Sequence, residues 1–155
     1  MQFPVYDTEP TEVSQKMLEA LGISEIVNKR YNPKNKIILI EIKSSSELAS
    51  LKPDFPALIN SYTGINGVLV TAISDSEDFD FHYRYFWGWV GTDEDPVTGG
   101  VQTFLTKYWA TKLNKTKLNA YQSSFRTGTM SVELLSDKVC ILGEAVTVLE
   151  GQFIL

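Results

Sequence analysis

The sequence predicts a single α+β domain over residues 1–155, built as a mixed, rolled, barrel-like sheet wrapped around one central helix. Three observations carry that reading. Short apolar segments with strand-like patterns recur along the chain, one amphipathic stripe in its second half is much clearer than any other, and the strands after that stripe follow one another directly. A doubly wound sheet would alternate them with helices.

The elements follow in order. Phe3-Pro4-Val5 reads as a first or edge strand, where proline is tolerated. Val13, Met17, Ala20 and Leu21 then recur at helical spacing, with Pro10 before the first turn and Gly22 where a helix stop belongs. Ile26–Tyr31 is a short strand and Asn32-Pro33-Lys34-Asn35 a turn cluster. Lys36–Lys43 carries isoleucine and leucine on both faces, the pattern of a central strand covered on both sides. Ser44 to Glu47 makes a capped entry to a short helix ending near Leu51, and another short helix over Ala57–Ser61 follows the interruption from Pro53 to Pro56. Both are expected to be surface connectors.

The turn Gly64-Ile65-Asn66-Gly67 leads into Val68–Ile73, and Ser74–Asp78 forms a polar, acidic loop. Phe79, Phe81, Tyr83, Tyr85 and Trp87 alternate with Asp80, His82, Arg84 and Phe86, so this strand has one aromatic and one largely polar face. His82 is expected on the exposed side. From Val101, the residues Phe104, Leu105, Tyr108, Trp109 and Leu113 fall at intervals of three and four, a helix buried along one side. Asp95-Pro96 marks its start, with Thr98 as the alternative cap and Gly99 and Gly100 just inside. Asn114-Lys115 ends it, and strands are expected over Leu118–Gln122, Thr129–Leu135, Lys138–Leu142 and Ala145–Leu149, with Gln152–Leu155 as a candidate last one.

The start of the central helix is also the candidate site. Its unpaired backbone N–H groups and partial positive charge attract anions, and two residues without side chains let a ligand approach the backbone. Asp93, Glu94 and Asp95 crowd the same turn, and an acid beside an anion pocket is a candidate proton carrier. The plainer alternative is that Asp95 caps the helix while its neighbours sit in water near the dipole.

Composition narrows the partners. A net charge of −5 with no clustered basic face makes nucleic acid and anionic membrane poor choices, leaving small molecules or proteins. Cys140 is the only cysteine, so an intrachain disulfide and a cysteine-based zinc site are excluded; within its apolar strand it is expected to act as a small buried hydrophobe. A single histidine gives neither a histidine-based metal cluster nor a Ser-His-Asp triad, and no metal site is expected. No apolar run approaches membrane-spanning length, and the first ten residues hold acids and two prolines where a signal segment would be basic and apolar. A soluble, intracellular, cytoplasmic protein is the expectation.

Arg84-Tyr85-Phe86 followed by Gly91-Thr92-Asp93-Glu94-Asp95-Pro96-Val97-Thr98-Gly99 resembles the signature of the PhzF (phenazine-biosynthesis-like) family, in which R-x-F precedes G-x-x-E-D-P-V-T-G-S-A. Tyr108-Trp109, the Q-x-S-x-R-x-G-like run from Gln122 to Gly128, and Gly143-Glu144-Ala145 through Gly151 match further family segments in order. The resemblance covers 80–155 most strongly, with Phe3-Pro4 fitting the opening of the same lobe.

The resemblance implies one lobe, the second, of a diaminopimelate-epimerase-like two-lobe fold with its site in the cleft between lobes. It implies a cofactor-independent isomerase or epimerase shifting a proton on a small carboxylated metabolite, incomplete without a first lobe. Asp95 is then the catalytic acid or base and Thr98, Gly99, Gly100 and Arg126 bind substrate. Two roles are open to Arg126, orienting substrate or pairing with a loop acid, and charge alone favours the pairing. The family's serine, alanine and common histidine are replaced by Gly100, Val101 and Gln102, and its Phe-Ala-Pro by Phe86-Trp87-Gly88. These departures favour a second reading, a noncatalytic binding module derived from such a lobe; a third is a truncated gene product. A lobe shaped to face another would expose apolar surface around Trp87, Trp89 and the 91–100 loop, which predicts a homodimer or a separate first-lobe partner.

Overall fold

The computed structural model of the chain describes residues 1–144 and 146–152. Its first half runs β1 (Gln2–Pro4), β2 (Glu9–Pro10), α1 (Gln15–Leu21), β3 (Asn28–Asn32), β4 (Ile37–Ile42), α2 (Ser45–Ser50), α3 (Phe55–Asn60) and β5 (Gly67–Ile73). The second half adds β6 (Phe81–Phe86), α4 (Gln102–Leu113), β7 (Lys117–Gln122), β8 (Gly128–Leu134) and β9 (Lys138–Leu142). Local chemistry sets several boundaries. Ser14, Ser44 and Asp54 cap the first three helices through their side-chain oxygens, and Gly22 closes α1 at φ 73°, a conformation costly for any residue with a Cβ.

All the strands join one open sheet in the order β1-β9-β8-β7-β6-β5-β4-β3-β2. Only β4 with β5 and β6 with β7 pair in parallel, and each of those pairs needs a crossover. The helices α2 and α3 make the first crossover and α4 makes the second. They lie on opposite faces, which follows from strand alternation: Ile37 and Leu39 of β4 pack with α4, whereas Ile38, Ile40 and Ile42 pack with α1 to α3.

The two edge strands β1 and β2 are consecutive in the chain, joined by Val5 to Thr8 alone. A linker that short holds Pro4 and Glu9 within about 18 Å of each other. The sheet must therefore curl until its edges nearly meet. It curls around α4, over which the linker runs as a strap: Tyr6 N donates to the Thr103 carbonyl at 2.8 Å, and Asn32 Nδ2 donates to the Asp7 carbonyl at 2.7 Å.

The mixed α+β architecture agrees with the sequence pattern, whereas the sheet, packed about α4, is open rather than barrel-like, and several further details differ. α4 is buried around its whole circumference from Gln102 to Thr106, because sheet and strap enclose its first turns; the single stripe holds only farther along, where Trp109 is buried and Lys112 exposed. Trp109 stacks on Phe81 with ring centres 5.6 Å apart and donates from Nε1 to Thr71 Oγ1 at 2.9 Å. The expected polar face of β6 is covered as well, with Arg84 and Phe86 buried beneath α2 and α3. Those two helices are thus more than surface connectors. Pro10 lies in β2, not at the start of α1. Cys140 is half-buried in β9. Residues 146–149 form no strand and expose Val146, Val148 and Leu149, while Ala145 and residues 153–155, parts of the last two expected strands, lie outside the described residues.

Leu105 is fully buried between helix and sheet. Leu105→Ala is expected to lower the unfolding free energy by about 2–5 kcal/mol, read from urea denaturation. A loss below about 1 kcal/mol would show that α4 is not the centre of the core.

Candidate functional site

The loop from Trp87 to Val101 folds back along β6. Phe86 and Glu94 form an isolated antiparallel bridge, and Asp95 N donates to the Tyr85 carbonyl at 3.0 Å. An ion pair fixes it there. Arg84 Nε and Nη2 donate to the two carboxylate oxygens of Glu94 at 2.7 and 2.8 Å, while Nη1 donates to the Leu51 carbonyl at 2.7 Å. The guanidinium also lies 5.0 Å from the centre of the Phe86 ring. Glu94 is therefore a structural acid in a mostly buried pair, not a solvated charge near the helix dipole. The arginine that pairs with a loop acid is Arg84. Arg126 is exposed and forms no ion pair among the described residues, which corrects the pairing that charge alone favours.

Gln122 holds the next stretch. It is fully buried at the end of β7, its Oε1 accepting from Thr98 N at 2.6 Å and its Nε2 donating to the Asp95 carbonyl at 2.6 Å and to Thr98 Oγ1 at 3.2 Å. Thr98 Oγ1 in turn donates to Asp95 Oδ2 at 2.5 Å, and the Tyr83 hydroxyl donates to the Thr98 carbonyl at 3.0 Å. Every polar group of Thr98 is thus engaged within the protein, and its hydroxyl orients the half-buried Asp95 carboxylate. Neither Asp95 nor Thr98 caps the helix. Val101 occupies the N-cap position and has no side-chain acceptor to make a cap bond, while Gln122 and Asp95 engage the polar groups of Thr98.

Uncapped, the helix start is open. Gly99, Gly100 and Val101 donate their N–H groups to no acceptor among the described residues. A Cβ built on Gly100 would meet nothing within 4 Å, and one on Gly99 only Ile141 Cδ1 at 4.0 Å. The positive end of a three-turn helix with unpaired backbone donors therefore follows directly on Thr98, whose hydroxyl holds the Asp95 carboxylate, a combination of residues able to hold an anion and carry a proton.

The β7–β8 loop that carries Arg126 lies beside the 95–98 loop, with the Arg126 side chain exposed. Ser124 Oγ donates to the Pro96 carbonyl, and a Cβ on Gly128 would sit 2.6 Å from Val97 Cγ2, so the 95–98 and 124–128 loops lie against each other. Phe125 at their rim is completely exposed. The exposed apolar residues around the loop are Val90, Val97 and Phe125, whereas Trp87 stacks on Tyr85 and Trp89 donates to the Tyr62 carbonyl at 3.0 Å. His82 is half-buried between Ser74 Oγ at 3.2 Å and Ser123 Oγ at 3.3 Å, and burial lowers its pKa against the opposing pull of Asp75.

The sequence reading assigned no role to three residues around the loop: Gln122, Tyr83 and Gln102. Gln122 was findable, since Leu118, Ala120 and Gln122 alternate on the core face of β7 and a buried amide needs partners. Tyr83 was legible as core and not as a hydrogen-bond donor to the loop. Gln102 is fully buried, accepts from Thr106 Oγ1 at 3.0 Å and has no acceptor for its Nε2 among the described residues. No group of three or more His, Cys, Asp or Glu arranged for a metal ion occurs among the described residues.

Comparison with known proteins supplies a family context. The family model for phenazine biosynthesis-like proteins (PhzC-PhzF) matches residues 1–151. The chain is 40% identical over 141 residues to an uncharacterized isomerase of Halalkalibacterium halodurans, an alignment covering 90% of this chain and 51% of that protein. It is 38% identical to an uncharacterized isomerase of Pseudomonas aeruginosa over 97% of this chain and 55% of the other. Among solved structures, a PhzF-family phenazine biosynthesis protein of Enterococcus faecalis superposes with a TM-score of 0.82 at 33% identity, covering 91% of this chain and 52% of that one. The chain spans about half the length of the curated relatives it matches.

Two measurements test the clamp. Glu94→Gln leaves the Arg84 guanidinium mostly buried without its counter-charge and is expected to cost about 3–5 kcal/mol in urea unfolding, with part of that loss recovered in Arg84→Met/Glu94→Gln. Burial, with the Asp95 charge adding to it, pushes the Tyr85 hydroxyl up to about 12. The folded state therefore keeps a proton that the unfolded chain releases near pH 10, so this contribution to stability is intact below pH 10 and is lost as pH rises to 12. Tyr85→Phe should lessen the alkaline loss without abolishing it, because burial also pushes up the Tyr83 and Tyr108 hydroxyls, whose contributions persist.

Proposed function

We infer the function from one premise: the chain belongs to the phenazine biosynthesis-like family. An isomerase-type activity fits it, since two relatives carry that description. The proposal is that this chain forms the second lobe of a diaminopimelate-epimerase-like fold and supplies half of a cofactor-independent site that shifts a proton on a small carboxylated metabolite. The observation that supports it is the Asp95 carboxylate held by Thr98 immediately before Gly99 and Gly100, whose N–H groups have no acceptor among the described residues.

In this reading the substrate carboxylate lies against Gly99 and Gly100, where the helix dipole draws electron density from the neighbouring carbon and eases loss of its proton. Asp95 gives or takes that proton, and Thr98, through its hydroxyl, keeps the carboxylate aimed. Arg126 closes over the substrate from the adjoining loop. A second acid or base on the opposite side comes from a first lobe, either a separate polypeptide or another copy of this chain, and that partner covers Phe125 and Val97. The cytoplasm is the proposed location.

A noncatalytic module is the second reading, favoured by the departures from the family signature, above all Gly100, which offers no hydroxyl where the signature has serine, and Gln102 in place of the common histidine. The two readings separate experimentally. In deuterated water with candidate amino or dihydroaromatic acids, the isomerase reading expects α-proton exchange that falls at least a hundredfold in Asp95→Asn, within the range of a general acid–base contribution of about 10²–10⁴. Gly100→Ser, which has room for its side chain, is expected to raise exchange or ligand affinity. Ligand or partner binding that Asp95→Asn leaves unchanged, without exchange, supports the module. Light scattering of the chain alone is expected to show a dimer, and a strictly monomeric mass at high concentration removes the second copy as the source of the missing half.

A further inference from the structure

The open sheet leaves a seam. Between the strap, β3 and the far half of α4 lies a cavity of about 460 Å³, within the size range of small-molecule sites. Its floor is Tyr6, Phe104 and Tyr108, and its rim carries Arg30, Lys107 and Lys112. Along the helix axis the cavity runs from Phe104 to Lys112, about 3 to 15 Å from Gln102, and no residue of the Asp95 loop lines it.

The charges around it do not balance. Lys107 pairs with Asp7, and Lys112 pairs with Glu41, which also accepts from the Tyr108 hydroxyl. Arg30 is half-buried and has no carboxylate within ion-pair distance among the described residues. Its Nε donates to Thr8 Oγ1 at 3.2 Å and its Nη2 to the Thr8 carbonyl, leaving the outer Nη1 edge without an acceptor among the described residues. Three cations thus face two carboxylates, and the surplus charge sits on the residue type best suited to planar, two-point recognition of a carboxylate. The half-buried Tyr6 and Tyr108 rings supply apolar surface for the remainder of such a molecule, with the buried Phe104 behind them.

We propose that the seam is a binding site for a small organic carboxylate with a flat apolar body, its carboxylate on Arg30 beside Lys107 and its body over Tyr6, Phe104 and Tyr108. This site is independent of the proposed isomerase reading.

The test is an NMR titration of the full chain with benzoate, with benzyl alcohol and inorganic phosphate as controls. Benzoate should saturably shift the Arg30 Nε–H and the Lys107 and Tyr108 signals while leaving the Gly99 and Gly100 amides in place. Benzyl alcohol and phosphate should each bind at least about tenfold more weakly, since each lacks one half of the recognition. Arg30→Gln should weaken benzoate by about tenfold. Because Arg30 also ties down the strap, Asp7→Asn provides the decisive variant. It removes the one carboxylate lining the cavity and leaves intact the Asp7 carbonyl that holds Asn32, so benzoate should bind about threefold more tightly. No saturable shift up to about 10 mM, shifts confined to Gly99 and Gly100, phosphate binding as well as benzoate, or unchanged or weaker binding in Asp7→Asn would each overturn the assignment.

Discussion

The ion pair between Arg84 and Glu94 fixes the part of the molecule on which any chemistry at the Asp95 loop depends. A guanidinium taken this far out of water needs its counter-charge and its remaining donors satisfied. Glu94, the carbonyls above it and the Phe86 ring meet that need together. The consequence is positional. With Glu94 bound to the underside of β6, the loop is anchored ahead of α4, and Gln122 completes the hold by taking both a donor and an acceptor from the 95–98 backbone. The helix start is left with unpaired N–H groups just after Thr98, whose hydroxyl holds the Asp95 carboxylate. A capped start would be more stable and would have no donors to offer.

The roll around α4 has a comparable logic. Two parallel pairings demand two crossovers, and placing them on opposite faces gives β4, β5 and β6 apolar residues on both sides. The short strap then forces the sheet edges together without hydrogen-bonding them. Closure by a strap rather than by a ladder seals the core around the first turns of α4 and leaves a cationic seam beside its later turns.

Much of this was legible in the residues. The isoleucine-rich β4, the alternating aromatics of β6, the helix over 102–113 and the strands β7 to β9 follow from periodicity, because burial on one or two faces writes itself directly into the order of side chains, whereas the two-residue β2 has no such pattern. The concentration of acid and glycine before α4 likewise marked the candidate site. Failures fell where a residue's role depends on a distant partner. Asp95 and Thr98 have the chemistry of caps, yet they bond to each other and to Gln122, more than twenty residues away. Glu94 reads as a solvated acid until Arg84 is seen beneath it. Arg126 reads as the obvious partner for a loop acid, yet the loop that carries it ends in solvent.

By itself the sequence determined the elements, the mixed α+β class, the motif that places the chain in its family and the stretch where its chemistry belongs, since these follow from local periodicity and residue type. Tertiary structure alone decided which acid is structural and which is free, that the helix start stays uncapped, and that a surplus positive charge gathers at the seam. Those outcomes rest on hydrogen bonds and ion pairs between segments far apart in the chain, and no local pattern encodes which of several chemically equivalent partners the fold will bring within reach.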